Sequence, residues 1–213
     1  MRSIPMRAFN RTAEQESHYS LKSPLLFGVL AALDPETHHE FLDLSPANPD
    51  SLDFFSQYRC RLHLPGCREQ LLQARHCDEP DSMAQALAFE ELIPLPEKQY
   101  VPLDLVLLWD LPNYLDKQTL QELIEYLKPC VAANTVLHIY IHTRQAMPLS
   151  PGEYRLSGED LVLVEAPSPW SASSPMYYQE LLHKLLSPFR IERGMLLANG
   201  LQEYILRAHG SPS

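Results

Sequence analysis

The sequence predicts a doubly wound α/β domain, and three observations carry that prediction. Segments of strand character alternate with segments of helical periodicity along most of the 213 residues. That order suits a mostly parallel sheet with helices on its faces, not a bundle or a sandwich. Residues 103–109, Leu-Asp-Leu-Val-Leu-Leu-Trp, are almost continuously apolar, as a central parallel strand covered on both faces must be. Two β-prone segments near the C-terminus meet at Ala198-Asn199-Gly200, and Asn-Gly in that setting signals an antiparallel hairpin.

The elements follow in order. Residues 21–33 read as the first helix: Pro24 fits a first turn, and Leu25, Leu26, Val29, Leu30 and Leu33 recur at helical spacing. Asp34-Pro35 ends it. Residues 40–44 form a short, mainly apolar strand running into Ser45-Pro46-Ala47-Asn48-Pro49-Asp50, a loop rich in helix-capping and first-turn residues. Leu52, Phe54 and Phe55 then place a helix against the sheet. Residues 59–64 read as a second strand closed by Pro65-Gly66, residues 67–74 as a helix, and residues 78–81 as a turn. Residues 83–93 fit a helix and a short strand equally well. After the central strand, a helix starts at Asp116, carries one apolar stripe (Leu120, Leu123, Ile124, Leu127) and stops at Pro129. Residues 135–142 are the next strand, rich in β-branched side chains. Residues 154–165 read as a hairpin around Ser157-Gly158, residues 168–174 as a Ser/Pro-rich loop, and residues 176–186 as a helix. Residues 189–197 and 201–207 are the closing hairpin. There is no internal repeat.

Length and composition predict one core: a flexible N-terminal arm over residues 1–20, a single domain over 21–209 and a flexible tail over 210–213. Hydrophobic residues make up 45 % and charged residues 21 % of the chain, ordinary values for a globular protein. No apolar run approaches the roughly 20 residues that span a bilayer, and the first residues lack the apolar core of a secretory signal. A cytoplasmic protein without a membrane partner is expected. The net charge of −10 disfavours nonspecific binding to nucleic acid or anionic lipid. Cys60, Cys67, Cys77 and Cys130 form no Cys-x-x-Cys pair, which predicts free thiols and no metal site.

The unusual numbers are 7 glycines and 19 prolines, where average usage gives roughly 15 and 11. Nucleotide-type cofactor loops generally depend on glycine. Residues 103–115 with the following helix and strand, Phe41-Leu-Asp-Leu-Ser45 and the closing hairpin together resemble the class I, Rossmann-like S-adenosylmethionine (SAM)-dependent methyltransferases. The resemblance covers roughly residues 38–207. It implies a seven-stranded, mostly parallel sheet with helices on both faces and an antiparallel C-terminal hairpin.

The family's first strand leads into an Asp-x-Gly-x-Gly-x-Gly turn. On that pattern Asp43 is kept, while Ser45, Ala47 and Pro49 take the glycine positions, and no glycine lies between Gly28 and Gly66. A Cβ at each position narrows the space for a cofactor lying on the main chain, and Pro49 also lacks an N–H. At the end of the second strand, where the family carries an acidic ribose acceptor, stands His63, whose neutral ring offers one acceptor nitrogen. The resemblance thus marks Asp43, Ser45, Ala47, His63 and Asp110 as cofactor-binding positions.

Asn113, Tyr114, His138 and His142 are candidate substrate-binding positions, and no catalytic residue is assigned. Asp110-Leu-Pro-Asn-Tyr114 resembles the Asp/Asn-Pro-Pro-Tyr motif of amino methyltransferases, with Asn113 replacing the second proline. A functional loop and an ordinary strand-to-helix loop both stay open there. His138, Tyr140 and His142 alternate on one strand and share a face, as pocket-lining groups or as buried, hydrogen-bonded side chains. For Ser45, helix capping outweighs a nucleophilic role, since Leu44 and Pro46 stand where a hydrolase elbow has its neighbouring residues. Trp170, Met176, Tyr177 and Tyr178 follow the Ser/Pro loop as a partner-binding patch or as packing.

Loss of the glycine loop and of the ribose carboxylate predicts a methyltransferase-like pseudoenzyme serving as a protein-binding or regulatory subunit, with SAM binding lost or altered. The alternative is an active SAM-dependent methyltransferase with a divergent cofactor loop, acting on a small molecule or protein.

Overall fold

Four strands of the central sheet are parallel: β2 (His39–Asp43), β3 (Cys60–His63), β4 (Leu103–Trp109) and β5 (Val131–His142). The closing pair, β10 (Phe189–Leu196) and β11 (Leu201–Ala208), adds to them antiparallel, β11 against β5. The strand order is β10-β11-β5-β4-β2-β3. The computed structural model describes residues 18–74, 88–95, 101–158, 161–165 and 171–209. Among these the central sheet has six strands, where the family resemblance implies seven. Strand β3 forms the edge, and the stretch after the helix that follows it, residues 75–87, lies outside the described residues, as do the predicted turn at 78–81 and Cys77.

Alternation along the strands sends two sets of side chains to two cores. Leu42, Val106, Leu108, Leu137 and Ile139 face α3 (Arg68–Ala74), α5 (Lys117–Leu127) and α6 (Gln179–Leu185). The predicted stripe of α5 is fully buried there, and Asp116 caps the helix by accepting the Thr119 N–H at 2.8 Å. Phe41, Leu105, Leu107, Trp109, Tyr140 and Ile205 face the other way, toward α1 (Pro24–Leu30) and α2 (Pro49–Phe55). Helices thus cover both faces, and the antiparallel pair closes a mostly parallel sheet. This is a Rossmann-like α/β fold.

Two expectations need correction at the N-terminus. The helix predicted over residues 21–33 is shorter, because Pro24 occupies its first turn and disfavours helical geometry in the residue before it. Leu21 instead belongs to a strand, β1 (His18–Lys22), so residues 18–20 are part of the fold and not of an arm. Strand β1 pairs antiparallel with β8 (Leu161–Glu165), which forms the predicted hairpin with β7 (Tyr154–Ser157). A further short pair, β6 (Ala146–Pro148) and β9 (Ser171–Ser173), crosses the segment read as a Ser/Pro loop. The ambiguous stretch 83–93 contains a single helical turn, α4 (Phe89–Leu92), in its described part. The cap of α2 is Asn48, whose Oδ1 accepts the Ser51 N–H at 2.8 Å, and not Ser45. Among the described residues, no helix is long and apolar enough to cross a membrane, and Cys60 and Cys67 are free thiols.

Candidate functional site

In open α/β sheets, ligands bind beyond the carboxyl ends of the parallel strands. Here that region is bounded by Asp43 at the end of β2 and Trp109 at the end of β4. Asp43 is 0 % exposed. Its Oδ1 accepts the Trp109 indole N–H at 2.6 Å and the Ser45 backbone N–H at 2.8 Å, while Oδ2 has no hydrogen-bond partner. Burial pushes the Asp43 carboxyl pKa up, against the opposing pull of the bonds from Trp109 and Ser45.

Trp109 has φ +55°, a left-handed conformation that costs a residue with a side chain about 1–3 kcal/mol. Its ring is held on two sides. The indole N–H is fixed by Asp43, and the ring stacks on Tyr154 of β7 with centroids 4.9 Å apart and planes 5° apart. Strand β7 and the residues just before it are tied to the loop after β2, to α2 and to the residue after β4. Asn48 Nδ2 donates to the Tyr154 carbonyl at 3.4 Å, the Leu156 N–H donates to Ser51 Oγ at 3.1 Å, and Gly152 N–H donates to Asp110 Oδ2 at 3.1 Å.

A SAM molecule in the family pose needs free main-chain donors after β2 and an acceptor at the end of β3. The Ser45 N–H is already bound to Asp43. Pro46 and Pro49 have none to offer, and Ala47 is exposed. His63 Nε2 lies 2.7 Å from Oε2 of buried Glu40, which also faces Arg61 and His38. Of the groups that pose requires, the Ser45 donor and the His63 ring nitrogen are therefore already engaged within the protein.

The predicted substrate positions are similarly engaged. Asn113 Nδ2 donates to the carbonyls of Asp110 (2.7 Å) and Tyr140 (2.8 Å), and its Oδ1 accepts the His142 N–H at 2.9 Å. It clamps the loop after β4 to the end of β5. Tyr114 is buried, edge-on to His142 at 6.3 Å. His138 and Tyr140 do share a face, inside the second core. Glu203 Oε1 lies 3.3 Å from His138 Nε2 and accepts from Ser23 Oγ (2.5 Å) and the Leu26 N–H (3.0 Å), while Tyr140 donates to Ser23 Oγ at 2.7 Å. Burial raises the Glu203 pKa, but the hydrogen bonds from His138, Ser23 and Leu26 prevail and hold it below the usual glutamate value. His138 is thus a buried, partnered histidine. Sequence reasoning missed Glu203 and the role of Trp109. The available signal was that Glu203 or its neighbour Gln202 had to point inward from an apolar strand.

His142 and Asp110 border free space. They line a cavity of about 180 Å³ with Arg144, Gly152, Tyr154 and Asn199 among its walls.

No protein-family model and no curated protein matches the sequence. Solved structures similar to this chain include a SAM-dependent methyltransferase from Clostridium acetobutylicum. The two are 12 % identical with a TM-score of 0.41, over 85 % of this chain and 95 % of that one. Another is the Burkholderia thailandensis 1,6-didemethyltoxoflavin-N1-methyltransferase, crystallised with S-adenosylhomocysteine. It is 11 % identical with a TM-score of 0.43, over 88 % of this chain and 76 % of that one. The pyocyanin biosynthetic protein PhzM is 15 % identical with a TM-score of 0.43, over 84 % of this chain. This chain spans about half the length of PhzM, 53 %.

Proposed function

We propose that this protein is a methyltransferase-like pseudoenzyme, a binding or regulatory subunit in which the SAM cleft has been closed from within. The observation that carries this reading is the Asp43–Trp109–Tyr154 arrangement. The acidic residue that keeps the family pattern visible is sealed by an indole, and the indole is covered by a strand of the β7–β8 hairpin. The proline-bearing loop after β2 and the His63–Glu40 contact support the same reading. Met176 and Tyr178, 47 % and 62 % exposed, favour a protein partner at the surface before α6, whereas Tyr177 packs inside and Trp170 lies outside the described residues.

Calorimetric titration of the purified chain with SAM and with S-adenosylhomocysteine tests this directly. No heat from either at millimolar concentration is expected. Micromolar binding of either ligand would instead favour an active methyltransferase with a divergent loop.

A further inference from the structure

Asp110 is 3 % exposed, yet only half of its carboxylate is used: Oδ2 accepts from Gly152, and Oδ1 has no hydrogen-bond partner. His142 Nε2 lies 3.9 Å from Oδ2, beyond hydrogen-bonding distance, and it too has no partner. Buried polar atoms left in this state are costly and rare, and a native structure normally supplies them with a donor or acceptor. Both residues belong to the wall of the same cavity of about 180 Å³.

Arg144 stands in that wall as well. It is exposed and makes no ion pair among the described residues. Its side chain lies against the closing hairpin turn: Gly200 has φ +88°, and a Cβ there would come within 2.9 Å of Arg144 Nε. Thr143 Oγ1 donates to the Gly200 carbonyl at 2.7 Å, holding the turn against the end of β5. Asp110, His142 and Arg144 thus bring a carboxyl, an imidazole and a guanidinium to the wall of one cavity, with Asp110 Oδ1 and His142 Nε2 buried just behind its surface.

We propose that this cavity binds a small zwitterion of the α-amino-acid type. Its ammonium group donates to Asp110 Oδ1 and His142 Nε2, and its carboxylate is held by Arg144. A simple anion is repelled by Asp110 and a simple cation by Arg144, while a molecule carrying both charges satisfies each. The volume is below the roughly 300–1,000 Å³ of drug-sized sites, which suits a free amino acid better than a nucleoside. The inference supplies a ligand for the binding role proposed above and rests on that reading.

The test is calorimetry on the full chain with the common α-amino acids, their N-acetyl derivatives and their α-amides, with SAM as a parallel arm. At least one free amino acid binds with a dissociation constant in the millimolar range or tighter, and blocking either end weakens it by about tenfold or more. Arg144→Gln, an exposed position, leaves the thermal midpoint unchanged and weakens the free amino acid about tenfold, with no effect on the α-amide. Failure of every free amino acid to bind by about 10 mM, or equal binding of the blocked forms, overturns the proposal. If SAM is silent in that case, the pseudoenzyme reading stands without this ligand. If SAM binds, both readings fall.

Discussion

Trp109 donates its indole N–H to Asp43 Oδ1 at 2.6 Å across 66 residues of sequence. This one bond joins the carboxyl ends of two adjacent parallel strands and engages one of the two oxygens of the buried Asp43 carboxyl. Trp109→Phe keeps most of the stacking area on Tyr154 but removes the donor. It is expected to destabilise the fold by about 1–3 kcal/mol, the usual effect of leaving a buried acceptor short of a partner. Urea denaturation at neutral pH, with the slope unchanged and the midpoint lowered, checks this.

Asp43 and Glu203 titrate with opposite consequences for stability. Burial raises the folded-state pKa of Asp43 above its ordinary 3.8. Its favourable contribution is therefore fully present below that value and lost as pH rises through the raised one. Asp43→Asn keeps an acceptor for Trp109 and carries no charge, so its stability relative to the native protein grows with pH. Glu203 is held below its ordinary 4.5, so its contribution is present above that value and lost as pH falls through the lowered one. Glu203→Gln is destabilising at neutral pH, and the difference shrinks in acid. Chemical denaturation of the three proteins from acid to neutral pH measures both slopes.

Asn113 is a structural clamp, satisfied by three hydrogen bonds to the backbone of the loop after β4 and of β5. Asn113→Ala leaves the Asp110 and Tyr140 carbonyls and the His142 N–H without this partner, a loss of about 2–4 kcal/mol if the sites are only partly rescued by water. Hydrogen exchange at the end of β5 rises with it. A variant with native stability and altered ligand binding alone would place Asn113 in a substrate site instead.

Much of this architecture is local and was legible for that reason. The apolar run of β4, the stripe of α5 and the Asn199-Gly200 turn are each set by periodicity or by one residue's backbone freedom. The glycine-free loop between Gly28 and Gly66 was equally plain. What the sequence could not reveal is pairing between distant segments. Nothing near Trp109 announces that Asp43 will take its N–H or that Tyr154, from the β7–β8 hairpin, will cover its ring. The pairing of β1 with β8 spans most of the chain and leaves no local pattern. Glu203 sits among apolar residues of β11, where its charge argued for the surface and only the facing His138 and Ser23 explain its burial.

The closure of the cleft is tested most directly at Trp109 itself. The chain has 2 tryptophans, so its indole N–H signals are two, and the Trp109→Phe variant identifies which belongs to the bond with Asp43. Titration with S-adenosylhomocysteine to millimolar concentration is expected to leave that signal unmoved. A saturable shift of the Trp109 indole resonance at micromolar ligand would mean that the Asp43–Trp109 bond yields to a cofactor, and would contradict the account.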